Sequence, residues 1–188
     1  MKTRYHDGYI ILGLLGFLIL GLFFSWYVSS VYCQPEEKVD PVWPSHSRIT
    51  LNIDDIRFID GDTIEYQNKD IRFLGCDTPE KANSFFNGDQ EPYATQAAEF
   101  MEEQIREADE VTLELATSPD RYGRLLGHIF VDGESLALIL ISNAHAYETI
   151  SRYGDNGFEE LSEEIREAAE DIEYEFEEPY QWRRSHRR

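Results

Sequence analysis

Apolar residues run unbroken from 9 to 31, alternate with polar ones between 49 and 74, and then settle into helical spacing from 93 to 108. Within residues 49–59 the alternating positions are Ile49, Leu51 and Ile53, which is the period of a half-buried strand. Thr63-Ile64-Glu65-Tyr66 and Ile71-Arg72-Phe73-Leu74 flank Asn68-Lys69-Asp70, so three successive strands joined by tight turns are predicted. Ala94, Ala97, Ala98, Met101, Ile105 and Ala108 share one face of a helix over residues 93–108. Residues 111–116 and 125–131 return to strand character. Residues 136–142 read as a short helix, and Leu161, Ile165, Ala168 and Ile172 as the inner stripe of a longer one. The expected class is α+β, a five-stranded β-barrel with about three helices, and roughly 140 residues suffice for one such domain with a real core.

The turns between these elements carry the chemistry. Asp60-Gly61-Asp62-Thr63 closes the first turn, Arg72 leads to Asp77-Thr78-Pro79-Glu80, and Asp120-Arg121-Tyr122-Gly123-Arg124 precedes the strand at 125–131. Each alone is ordinary turn sequence, since Asp and Gly supply the backbone conformations tight turns need. Together they supply what phosphodiester hydrolysis requires: hard oxygen donors for a divalent cation, a spare carboxylate to orient or deprotonate water, and planar cationic forks for phosphate oxygens. Asp62 and Asp77 suit the cation, Glu80 the water, and Arg72 and Arg124 the phosphate. No Ser/His/Asp or Cys/His set competes.

In these three motifs the chain resembles the thermonuclease family, of which staphylococcal nuclease is the best-known member, over residues 47–182. The resemblance implies an OB-fold barrel and a calcium-dependent nuclease acting on DNA or RNA that leaves a 3′-phosphate. It assigns calcium to Asp62, Asp77 and the Thr78 carbonyl, and catalysis to Arg72, Glu80 and Arg124. Tyr122 lies inside the third motif, and Tyr147 and Tyr153 fall where the family places aromatics against the nucleotide. Stacking tolerates any base, so weak base preference is expected. The alternative reading is a non-catalytic OB-fold binding or interaction module, against which the joint presence of Arg72, Glu80 and Arg124 argues. Residues 81–92 lack periodicity and directly follow Glu80, which predicts a mobile rim of the site.

The apolar run of residues 9–31 is uncharged and long enough to cross a membrane, where about 20 residues are needed. Lys2 and Arg4 precede it and Glu36, Glu37, Lys38 and Asp40 follow, so the positive-inside rule predicts a single-pass anchor with the catalytic domain outside the cytoplasm. The expected organisation is an anchor over 1–33, a tether over 34–46, the nuclease-like domain over 47–182 and a basic tail over 183–188. Signal-peptide cleavage after Ser30, which would give a secreted protein, and lipidation at Cys33 compete with the anchor; bulky Tyr32 weighs against lipidation. Cys33 and Cys76 fall in different modules, so neither a disulfide nor a metal site is expected, and Cys76 reads as a small buried hydrophobe. A monomer is expected, and no protein partner is implied.

Charge complicates this picture. The net charge is −20; residues 1–40 contribute −1 and residues 183–188 +4, leaving −23 on residues 41–182. Such a polyanion repels nucleic acid unless screened, and at 1 M salt the screening length is only about 3 Å. Four lysines against 37 acidic residues point to a halophilic setting. Glu159, Glu163, Glu167, Asp171 and Glu175 repeat every four residues along the predicted final helix, which gives four stacked like-charge pairs on one face. Residues 183–188, Arg-Arg-Ser-His-Arg-Arg, read as a frayed tail rather than an electrostatic grip on nucleic acid.

Overall fold

The computed structural model describes residues 46–188. Strands β1 (Arg48–Thr50), β2 (Ile56–Asp60), β3 (Thr63–Tyr66), β4 (Lys69–Phe73) and β5 (Cys76–Asp77) precede helix α1 (Tyr93–Glu107). Then follow β6 (Val111–Leu115), β7 (Leu125–Val131), β8 (Glu134–Ser135) and α2 (Leu136–Ser142). After β9 (Tyr147–Glu148) come α3 (Ile150–Tyr153), α4 (Glu159–Ala169) and α5 (Pro179–Ser185). The predicted anchor and all of the tether but His46 lie outside the described residues. No helix among the described residues is long and apolar enough to cross a membrane.

The main sheet runs β1-β6-β7-β4-β3-β2, with β8 added on β7, and β5 pairs separately with β9. It is mixed: β4 and β7 are parallel and the other pairs antiparallel. The expected closed five-stranded barrel is therefore replaced by an open sheet of seven strands. The cause lies in the single first strand anticipated over 49–59. Asn52 caps a 3-10 turn at Ile53–Asp55, its Nδ2 donating to Asp55 at 2.9 Å, and splits that strand in two. One half pairs with β6 and the other with β3, so the two halves stand at opposite ends of the hydrogen-bonded path.

The β3–β4 turn puts Gln67 at φ 49° and Asn68 at φ 61°, the left-handed pair that a two-residue hairpin needs to match strand twist. Ile64 and Ile71 on β3 and β4, Leu113 on β6 and Ile129 on β7 are fully or almost fully buried. Met101 and Ile105 of α1, Leu136 and Leu140 of α2, and Ile165 of α4 complete the same core. The periodicity over 93–108 thus marks a real helix whose buried face is Ala94, Ala97, Met101 and Ile105.

Among the described residues five α-helices form where about three are expected, because α3 is four residues long and α5 starts on Pro179, which is preset for a first helical turn. Helix α4 stops at Ala169, so Ile172 packs on the core from outside it. The acidic column is shortened accordingly: Glu159, Glu163 and Glu167 share α4, while Asp171 and Glu175 lie beyond it. Cys76 is buried, and burial pushes its thiol up to about 12, as an inert small hydrophobe requires.

Candidate active site

The turn between β2 and β3 is Gly61-Asp62, and its register sets Thr63 opposite Arg72. Asp62 accepts the Phe73 amide on its carbonyl at 2.8 Å, which pins the turn beside the end of β4. A side chain at position 61 would drive Cβ to within 2.7 Å of Thr78 Oγ1, so glycine there lets the 78–80 segment lie directly over the turn. Thr78 uses that closeness: its amide and hydroxyl both donate to Asp62 Oδ2, at 2.8 and 3.0 Å. Asp62 and Asp77 are each 2% exposed. One guanidinium, that of Arg72, pairs with both, reaching Asp77 Oδ1 at 2.5 Å.

Buried carboxylates respond to this company differently. For Asp77, burial favours the neutral acid, but the neighbouring Arg72 and Arg183 outweigh it and hold the group below its ordinary value. For Glu80, burial dominates and raises the value, with Arg183 pulling down and Asp77 pushing up. Asp60, whose Oδ1 accepts the Asp62 amide at 3.2 Å, is also raised by burial, against the charges of Arg72, Arg124 and Lys81.

Arg183 is the residue of this cluster that the sequence reading missed. Residues 183–185 of the expected tail are instead the last turn of α5, and Arg183 grips both oxygens of Asp77 at 3.0 and 2.6 Å while reaching Glu80 Oε1 at 2.5 Å. Pro179 and the apolar Trp182 beside the arginines were the signals that a helix, not a tail, begins there. Trp182 is buried, stacks on His186 at 4.4 Å and meets Phe86 edge-on at 5.7 Å. His186 accepts the Asn87 amide at 2.8 Å on its carbonyl, and Arg188 reaches Phe85 and Asn87. The rim expected over 81–92 is thus clasped by residues 177–188. Gln90 completes the clasp: its Oε1 accepts the Glu80 amide at 3.0 Å and its Nε2 donates to the Glu177 carbonyl at 2.7 Å.

Arg124 leaves the 120–124 turn, where Gly123 sits at φ 84° and Asp120 Oδ2 accepts from Arg124 Nε at 2.8 Å. Burial raises the Asp120 carboxyl, but hydrogen bonds from Arg124 and Tyr122 outweigh this and lower it. The parallel register of Arg72 with Leu126 brings the Arg124 turn alongside β4. Tyr122 is 69% exposed on that turn, with Arg121 over its ring at 4.8 Å. Tyr147 stands opposite Asp77 in the β5–β9 pair, its ring stacked on Tyr174 at 3.7 Å and its hydroxyl bonded to the Phe176 carbonyl. Tyr153 is 58% exposed at the end of α3. Direct side-chain bonds therefore gather Asp62, Arg72, Asp77, Thr78 and Glu80, with Arg183 as the link to Glu80, while Arg124 and the three tyrosines occupy neighbouring turns and strands.

Residues 70–172 match the family model described as "Staphylococcal nuclease homologue". The chain belongs to this family. It is similar to "Endonuclease YncB" of Bacillus subtilis (strain 168), with 31% identity over 137 residues, covering 68% of this chain and 64% of that protein. It is also similar to "SPbeta prophage-derived endonuclease YokF" of the same organism, with 32% identity over 109 residues, covering 53% and 36%. The chain thus spans under two thirds of the length of either relative. The family segment runs from residue 70 to residue 172, so Asp62 precedes it and Arg183 follows it.

Proposed function

We propose that this protein is a nuclease that hydrolyses phosphodiester bonds of DNA or RNA. The observation that carries this reading is the convergence of Asp62, Arg72, Asp77 and Glu80, reached from two turns, beside the arginine of a third. Both named relatives are endonucleases, which supports it. A calcium ion fits the donor chemistry: Asp62, Asp77 and Thr78 offer only oxygen, and two buried carboxylates already share one cation, Arg72. Among the described residues no cluster of three or more His, Cys, Asp or Glu groups is shaped to hold a metal, so water and carbonyl oxygens would complete the ligand set. Bound there, calcium would supply positive charge to the scissile phosphate.

The protein's own groups do the rest. Glu80 takes the proton of the attacking water as the water oxygen bonds to phosphorus and the bond to the 5′ oxygen breaks. Arg72 and Arg124 donate to the phosphate oxygens as negative charge builds on them. A non-catalytic binding module would have no use for this set. Assaying the full-length chain on labelled DNA and RNA, with calcium or with a chelator, tests the reading. Calcium-dependent cleavage of either polymer is expected; failure to cleave both sinks it.

We further propose that residues 9–31 anchor the protein in the cell membrane with the nuclease domain outside the cytoplasm, and that the acidic domain works in concentrated salt. The uncharged apolar run and the −20 net charge support these readings. Protease added to intact cells is expected to remove the domain, and protection from it would reverse the orientation.

A further inference from the structure

We infer that Arg183 is a positioning residue of the proposed nuclease site, bridging Asp77 to Glu80 so that the Glu80 carboxylate stays where the attacking water must meet it. The inference rests on the nuclease reading and concerns a residue outside the matched family segment.

Glu80 needs such a partner. It follows Pro79 in a stretch without regular structure, and Arg183 lies between its flexible side chain and the negative Asp77. Without that cation the carboxylate would turn away from Asp77 toward water. Arg72 makes no bond to Glu80: its guanidinium pairs with Asp62 and Asp77 instead. Arg183 does: Nη1 is shared between Asp77 Oδ1 and Glu80 Oε1 while Nη2 takes Asp77 Oδ2, fixing the two carboxylates relative to each other through one rigid plane. The result is a row of alternating charge, Asp62, Arg72, Asp77, Arg183, Glu80.

The placement of Arg183 is not that of a loose surface arginine. Its neighbour Trp182 is buried, Arg152 pairs with Glu178 at 2.7 Å at the start of α5, and residues 186–188 bond back onto residues 84–87. The helix is thus held on both sides of the guanidinium, as a group that orients another must be. A contrasting role for the same contacts is a plug, in which Arg183 obstructs the carboxylates and its removal helps cleavage at low calcium.

Steady-state cleavage of labelled DNA by the full-length chain separates these. Arg183→Ala is expected to lower kcat about 10–100-fold with little change in KM, since small misplacements at a reacting group cost this much. Arg183→Lys, which keeps the charge but loses the fork, is expected to fall between. In a Glu80→Gln background, Arg183→Ala is expected to cost almost nothing further, because its effect runs through Glu80. Thermal melts in chelator, without substrate, are expected to show the same non-additivity between the two substitutions. An unchanged kcat, equal losses in both backgrounds, or faster cleavage by Arg183→Ala at low calcium overturns the inference. If Arg183→Ala does not fold, Arg183→Lys carries the test, and an unchanged kcat in that variant overturns it. Wild-type cleavage with an indifferent Arg183 defeats this inference alone; absence of cleavage by the wild type defeats the nuclease reading with it.

Discussion

Two polar groups of the sheet are buried to a similar degree under opposite rules. At the candidate site, Asp62 and Asp77 remain beside guanidinium groups in a chain of alternating charge. On β7, His128 is 1% exposed, neither ring nitrogen has a hydrogen-bond partner, and its ring meets Phe158 edge-on at 4.8 Å. Burial alone pushes that imidazole down to about 4, so it is accommodated by giving up its charge. The difference teaches where ionic chemistry is available in this fold: burial supplies low dielectric in both places, but only the site supplies compensating charge.

The sharpest way to break the contrast is to disable the charged groups without removing their volume. Glu80→Gln or Arg124→Lys is expected to cut turnover about 10²–10³-fold, the usual scale for a lost transition-state donor or proton acceptor, in cleavage assays on folded protein. Next comes compensation itself. Arg72→Ala leaves the buried Asp62 carboxylate without a cation, while Arg183 still holds Asp77, and is expected to cost about 3–5 kcal/mol of stability in denaturant titrations; a loss under 1 kcal/mol would show that water already shares that charge.

The His128 side of the comparison appears in pH. Its folded value of about 4 lies below the ordinary 6.5, so its contribution is complete above pH 6.5 and is lost as pH falls from 6.5 to about 4. The expected loss is about 3 kcal/mol by linkage. Asp77, held low by its arginines, takes up its proton only at more acid pH, so the two losses are separable. His128→Leu is expected to flatten the upper window alone; a profile unchanged by that substitution refutes the assignment. The smallest effect is expected on the surface. Glu159, Glu163 and Glu167 leave two stacked like-charge pairs on α4, and Arg166 pairs with Glu163. Each uncompensated pair costs about 0.2–0.5 kcal/mol at low salt. Melts across a salt series are expected to show a rising melting temperature, and a flat or falling one would remove the case for a salt-adapted domain.

Local signals account for what was readable in the sequence. The β3–β4 hairpin and the helix at Tyr93–Glu107 follow from turn residues and periodicity, which act over a few positions, although the turn falls at Gln67-Asn68 and the expected turn residues Lys69 and Asp70 already belong to β4. The Asp62, Arg72, Asp77 cluster was legible because its members lie within one hairpin and the short segment after it. The open sheet was not, since it depends on an Asn52 side chain choosing a 3-10 turn over continued strand. Arg183 was invisible for a different reason: it is separated from Asp77 by 106 positions, and a run of arginines looks the same whether it frays or docks. Pro179, preset for a helix start, and Trp182, whose burial requires a neighbour such as Phe86, distinguish the two.

Gln90 carries the last consequence. Its amide places an oxygen toward the Glu80 amide and a nitrogen toward the Glu177 carbonyl, so closure of the clasp is written in the order of two atoms of nearly equal size. Exchanging that nitrogen for oxygen, as in Gln90→Glu or in spontaneous deamidation, leaves the shape intact and turns attraction to the 177 carbonyl into repulsion. The ageing chemistry of one side chain would then loosen residue 177 from the rim, while Trp182, His186 and Arg188 kept their hold farther along.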